Sequence, residues 1–346
     1  MEIKYTLQGL LIYVTMVAYL LAFITAFTRH KKLSGFIYFA GFISAIVAFI
    51  YRGIHVEHVP MQNLFEVFVT LGMLIYPITL FSRKVLRIGG GPGDSADMLI
   101  GVIVLFPAGF VFSADPKMLP PALQCWLFAP HVAVYMLSYM IMAKSNYLAF
   151  GRILTDMKYS MRFRFLTSSL TGGLAFLTAF ILTVELPEES KFSIWQILLI
   201  SSAIPFVLGL LVSLVIFLLG RLVFFILQFL ARVFYIKPED MGDLLPYEDA
   251  TYRMVCAGFP LLTLGLILGS WWGKLAWGDY WGWDPKELWS LASWLVYLAY
   301  FHFRVMYGKK YPRMNSLIAI LGMTAIIITL LWVNLSKIFS GLHSYA

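Results

Sequence analysis

The sequence predicts an all-α fold, a polytopic transmembrane helix bundle of about ten spans with both termini on the outer side. Three observations carry that prediction. The chain is 60% hydrophobic and 13% charged, with a mean hydropathy of +0.81, too apolar for a water-soluble domain. Apolar runs long enough to cross ~30 Å of hydrocarbon recur from end to end, with short polar connections between them. Lys and Arg alternate in density between successive connections, which orients the bundle.

The runs fall at 6–28, 34–51, 64–82, 97–113, 128–150, 165–185, 194–219, 251–270, 286–307 and 315–336. In the first, the basic cluster "RHKK" follows the apolar stretch and no A-x-A cleavage site stands out, so it reads as a retained N-out helix and not a signal peptide. Pro60 in "HVEHVPMQNLFE" breaks the chain before the third run, and Asn63 and Glu66 share a face at that helix start. The glycine-rich "RIGGGPGDSADM" before the fourth run lacks a Walker lysine and a preceding strand, so it reads as a loop. Residues 193–235 are apolar for too long to be one span; Gly220 and Arg221 divide them into a span and an interfacial helix, 221–236. No soluble domain of any size remains, and 1–346 reads as a single integral membrane domain.

With the N-terminus outside, the inward connections hold 19 of the 26 basic residues. The outward set is Lys4, Arg52, Lys117, Lys191, Lys274, Lys286 and Lys337. The net charge of +8 is thus a topology signal, and no nucleic-acid partner is expected. Cys125 and Cys256 are far apart and form no CxxC pair, which implies neither a disulfide framework nor a zinc site.

The most unusual stretch is "WGDYWGWDPKELW", which this topology places outside, in a tryptophan-rich loop at 271–285. Trp271, Trp272, Trp277, Tyr280, Trp281 and Trp283 are interleaved there with Gly273, Gly278 and Gly282. An interfacial aromatic belt explains single indoles, but belts are spread around a protein. Concentration in one glycine-broken segment favours a platform for a flat hydrophobic ligand. "DPKE" has Asp284 at an N-cap, Pro285 at the first helical position and Glu287 three residues on, so helix capping is preferred to catalysis as the reading of these charges.

Histidines supply the second signal. His131 opens the fifth run and His343 follows the tenth, so both share a leaflet with the tryptophan segment. Two neutral imidazoles on opposite faces of a flat ring with apolar walls are how a haem iron is held six-coordinate. His302 lies roughly 24 Å deeper along the ninth run at ~1.5 Å per residue, either as an interfacial histidine beside Arg304 or as a second ligand station. Two stations at different depths would suit passage across the membrane. His30 lies in a basic inner connection and carries no role.

The segment from "TYRMVCAGFP" through "WWGKLAWGDYWGWDPKELW" to "YFHFR", with "PALQCWLFAPHV", "HVPMQNLFE" and "GLHSYA", resembles the WWD segment of haem-handling proteins, and most closely the CcsA (ResC) subunits of system II cytochrome c synthases. The resemblance implies an external haem b site with His131 and His343 on the iron. Trp272, Trp277, Gly278, Tyr280, Trp281, Trp283 and Asp284 would form the cradle, with Trp281, Trp283 and Asp284 positioning the ring. His302 would serve an inner haem site whose second ligand is expected on a CcsB (ResB) type partner. The implied reaction is a haem lyase step that joins haem vinyl groups to the CxxCH thiols of apocytochrome c, kept reduced by membrane or periplasmic thiol-reducing proteins. The implied location is a bacterial cytoplasmic membrane with the site on the extracytoplasmic face, or a thylakoid membrane for a plastid chain. Against this stand a membrane b-type cytochrome, which usually pairs deep histidines where this chain has one, and a quinone-binding redox protein or carrier, which gives no reason for two outward histidines.

Overall fold

The computed structural model describes residues 3–26, 31–88, 92–155 and 247–332. All but the last two residues of the third segment belong to one compact unit formed by Met1–Ile153 with Phe234–Ala346. His343, the runs at 165–185 and 194–219 and the interfacial helix at 221–236 lie outside the described residues.

Every regular element among the described residues is a helix, in order α1 (Leu7–Ala26), α2 (Lys31–Val56), α3 (Leu64–Lys84), α4 (Pro92–Phe110), a 3₁₀ turn (Pro121–Gln124), α5 (Phe128–Thr155), α6 (Tyr247–Trp277), α7 (Pro285–Tyr307) and α8 (Pro312–Ile327), which runs into a π turn (Ile328–Trp332). Helices are what lipid demands, because each backbone N–H and C=O must be satisfied within its own segment. Five of the described helices are long and apolar enough to cross a membrane: α1, α2, α3, α6 and α8 with its π turn. Large apolar side chains such as Leu10, Val14, Val17 and Leu21 of α1 point outward, the reverse of a soluble protein's surface.

Local chemistry sets the ends. Asn63 caps α3, its side chain accepting from the Glu66 N–H at 3.0 Å. The capping arrangement legible in "DPKE" is present at α7: Asp284 accepts from the Lys286 N–H, Pro285 occupies the first turn, and the Glu287 carboxylate reaches back to the Asp284 N–H. α6 corrects the tryptophan-loop boundary. It continues through "WWGKLAW" to Trp277 and stops at Gly278, whose φ of +90° suits a residue without Cβ. Trp271, Trp272 and Trp277 are therefore helical, and the irregular connection is 278–284.

α1 to α4 pack around Tyr19, Phe65, Ile75 and Leu105, and α5 joins this group to α6 through Met136, Met140 and Ile141. A second core, with Tyr135, Met142, Leu262, Tyr297 and Tyr300, binds α5 and α6 to α7 and α8. The Cβ that Gly151 lacks would meet the Tyr247 ring at 2.7 Å, so the end of α5 and the start of α6 lie at the same end of the bundle.

Buried ion pairs pin this packing, and they correct the charge reading at two positions. Arg52 is 2% exposed and gives Nε and a terminal nitrogen to Glu66 Oε1 at 3.0 and 2.9 Å, while also donating to the Ala114 and Asp115 carbonyls. At the other end Lys144 of α5 pairs with Asp97 of α4, which also accepts from Thr79 Oγ1 at 2.8 Å. Arg52, counted among the outward charges, and Lys144, which lies within the fifth run and was counted with the inward ones, are therefore both buried in ion pairs; the imbalance among the remaining basic residues still points the same way. Near the Lys144 end, Arg304 of α7 binds Glu248 and Asp249 of α6, and Asn315 of α8 donates to Glu248 at 2.6 Å.

Candidate functional site

α5 presents His131 in its first turn, with Tyr135 and Tyr139 following at intervals of four, on the same face. The His131 ring nitrogen Nδ1 lies 3.0 Å from the Gly265 carbonyl of α6. A carbonyl only accepts, so the neutral imidazole carries its proton on Nδ1 and its lone pair on Nε2. Two α6 glycines permit this approach. A Cβ on Gly269 would stand 2.5 Å from His131 Cε1, and one on Gly265 would stand 3.0 Å from the Tyr135 ring.

Indoles fix the imidazole plane. Trp272 is 1% exposed, donates Nε1 to the Ala122 carbonyl at 3.0 Å, and lies nearly parallel to His131, with centroids 5.7 Å apart and planes 18° apart. Tyr135 meets the same imidazole edge-on at 5.0 Å, and Trp277 packs edge-on against Trp272 at 4.6 Å. Leu123, Leu127 and Phe128 close the cluster behind Trp272.

The 278–284 connection is tied down at several points. Ser270 Oγ donates to the Tyr280 carbonyl at 2.8 Å, Lys274 Nζ to the Gly278 carbonyl, and the Gly282 N–H to Glu287 Oε2 at 2.9 Å. Trp283 has φ of +57°, a left-handed conformation that costs a bulky residue about 1–2 kcal/mol. Its ring is 68% exposed and stands edge-on to Trp281 at 6.1 Å. Asp284 is buried as the helix cap, which fixes the loop on a rigid element.

These pieces enclose a cavity of ≈ 190 Å³ walled by His131, Tyr135, Trp272, Trp281, Lys286 and Glu287, with Asn63 and Leu64 of α3 at its side. Trp281 also borders a second, more apolar groove with Trp271, Tyr280, Leu291 and Trp294, so one indole separates two hollows. Of the histidines and aromatic residues singled out in the sequence, His131, Trp272 and Trp281 meet at the first cavity and Trp271, Tyr280 and Trp281 at the groove. Trp277, Gly278, Trp283 and Asp284 border neither; they support the Trp272 ring, the turn and the helix cap. His302 sits exposed on α7 and lines neither hollow. Tyr135, Tyr139 and Lys286 had not been singled out. For the tyrosines the signal was the spacing of four from His131, and for Lys286 it was a cation in the first turn after a tryptophan cluster.

The architecture and the cavity define a multi-pass membrane helix bundle with an aromatic-walled chamber holding one oriented imidazole. The chain belongs to the cytochrome c assembly protein family, whose model matches residues 6–340. It is 32% identical over 295 residues to the cytochrome c biogenesis protein CcsA of Prochlorococcus marinus strain MIT 9303, covering 83% of this chain and 76% of that protein. The CcsA of strain NATL1A of the same species is 30% identical over the same shares. A shorter match, 47% identical over 98 residues and 28% of each chain, is to the CcsA of Synechocystis sp. strain PCC 6803.

Proposed function

We propose that this chain, as part of cytochrome c maturation, receives haem b as a substrate in the aromatic chamber and presents it for covalent attachment to apocytochrome c. One observation carries the proposal: His131 Nδ1 lies 3.0 Å from the Gly265 carbonyl, an acceptor that holds the proton of a neutral imidazole on Nδ1, and the ring plane is set against Trp272. That is the state an iron ligand must have, since the backbone hydrogen bond sets both tautomer and orientation. Trp272, Trp281 and Tyr135 offer the flat apolar walls a porphyrin needs. His343 is the proposed ligand of the opposite iron face.

The haem supplies two vinyl groups. Each takes up one reduced cysteine thiol of the CxxCH motif, the sulfur bonding to one vinyl carbon and the hydrogen going to the other, so no net oxidation or reduction occurs. The residues of this chain contribute position: His131 sets the iron, Trp281 and Trp283 hold the ring, and the Asp284–Glu287 cap keeps the loop from yielding. His302, exposed on α7, is proposed to face a CcsB-type membrane partner and complete an inner haem site there. Thiol-reducing proteins keep the acceptor cysteines in the attacking form, on the outer face of a bacterial cytoplasmic membrane or the corresponding face of a thylakoid membrane.

The test is co-expression of the chain and its partner with a CxxCH reporter, scored by haem that stays on the reporter after denaturation. His131→Ala is expected to abolish labelling, and added imidazole to restore part of it. Full labelling of the reporter by His131→Ala without imidazole would overturn the assignment.

A further inference from the structure

Two connections that wall the chamber are held by one buried carboxylate. Met61, Gln62 and Asn63 border the cavity ahead of α3, and Leu123 borders it from the 3₁₀ turn that follows the 111–120 connection. Glu66, fully buried in the first turn of α3, serves both. Its Oε2 accepts from the Gln62 N–H at 2.9 Å, which closes the first connection onto the helix. Its Oε1 takes two donors of Arg52 from α2, and the same guanidinium donates to the Ala114 and Asp115 carbonyls of the second connection. Gln62 ties the two together, its Nε2 donating to the Met118 carbonyl at 3.0 Å. Four residues further on, the Ala122 carbonyl receives the Trp272 indole N–H, and Trp272 lies against His131. Bonded groups thus lead from Glu66 to the imidazole, although neither Glu66 nor Arg52 borders the cavity.

An ion pair this deep is a poor source of stability. Taking both charges out of water costs about what their attraction returns, so two apolar residues of similar volume hold helices together as well. An apolar pair cannot, however, grip loop carbonyls. The planar guanidinium reaches a carboxylate and two backbone oxygens at once, which fixes where the second connection lies relative to α3. The Phe65 ring, 5.1 Å from Arg52 Cζ, covers the cation and holds it in that pose. We infer that Arg52 and Glu66 are a positioning pair for the chamber: they set the 57–63 and 111–120 connections against each other and, through the Ala122 carbonyl, the plane of Trp272 behind His131. The inference rests on the reading of the chamber as a haem site and extends its machinery to two residues that touch no ligand.

Stability and positioning part company in the double variant Arg52→Met with Glu66→Met. The full chain is co-expressed with its partner, labelling of the CxxCH reporter is scored per unit of folded chain, and unfolding is followed by heating in detergent. The double variant should unfold near the temperature of the unaltered chain yet label on the order of 10-fold less, because a displaced wall forfeits pre-organised geometry. Arg52→Lys keeps the buried charges paired but lacks the fork, and should also fold while labelling falls. Haem that copurifies with either variant should show a fraction of iron that has lost an imidazole, and added imidazole should return it to the six-coordinate spectrum. Unaltered labelling by a folded double variant or by Arg52→Lys would overturn the positioning role while leaving the chamber a haem site; should the double variant fail to fold, Arg52→Lys decides. Full labelling by His131→Ala in the same assay would remove the haem reading, and the inference with it.

Discussion

Gly269→Ala isolates the packing that orients His131, because it adds one methyl group and no charge. The added Cβ would lie 2.5 Å from His131 Cε1 and 2.9 Å from Nδ1. Ordinary contact between carbons is about 3.5 Å, so the imidazole must retreat by about 1 Å. Retreat of that size lengthens the 3.0 Å bond to the Gly265 carbonyl toward the limit of hydrogen bonding and slides the ring off Trp272. Overpacking costs about 1–3 kcal/mol, against which alanine gains up to ~1 kcal/mol of helix propensity over glycine. With the full propensity gain the net loss of stability is about 0–2 kcal/mol, small enough for the variant to fold. Covalent labelling should fall much further, on the order of 100-fold, since a ligand misplaced by about 1 Å loses the pre-organised geometry. Gly35→Ala is the internal control: nothing lies within 4 Å of its added Cβ, so it should stabilise α2 slightly and leave labelling intact. Thermal unfolding in detergent and reporter haem staining, normalised to purified chain, give the two numbers. Wild-type labelling by Gly269→Ala would refute the argument that this glycine seats the imidazole.

Other perturbations test the frame around the site. Glu66→Gln strands the Arg52 guanidinium in the interior and should cost about 3–5 kcal/mol, whereas Arg52→Met with Glu66→Met should recover much of it; a double-variant loss equal to the sum of the two single-variant losses would show that the pair is not coupled. Glu287→Ala removes the acceptor for the Gly282 and Asp284 N–H groups, and should lower stability by about 1 kcal/mol while reducing labelling more than that loss explains. For orientation, single cysteines at Lys117 and Lys309, both exposed, are placed in a chain lacking Cys125 and Cys256. An impermeant maleimide added to intact spheroplasts should label the first and spare the second, and the reverse pattern would invert the proposed topology.

The fold class was legible because membrane insertion writes itself into composition: eight of the apolar runs coincide with α1 to α8, and the caps at Asn63 and Asp284 announce themselves in three or four residues. Contacts between distant residues were not legible in the same way. Arg52 and Lys144 entered the sequence only as counts of outward and inward charge, and only the folded chain brings them to Glu66 and Asp97. The tryptophan segment was read as loop because the apolar run before it ends at residue 270. The helix persists past it because Trp272 is anchored against the Ala122 carbonyl and His131, which lends α6 a reason to continue to Gly278. His131 was found by its position beside an outer turn, but its tautomer depends on a carbonyl 134 residues away. Depth along α7 was readable for His302, which is exposed on the helix and lines neither hollow because the chamber is walled by the first turns of α7.

The most direct measurement is a density map of the full chain with its partner, loaded with haem. The account predicts one iron at the outer end of the bundle, bonded to Nε2 of His131 and to His343, with the ring plane against Trp281. Iron bound with His131 still packed unliganded between Gly265 and Trp272, or a haem seated away from this chamber, would contradict it.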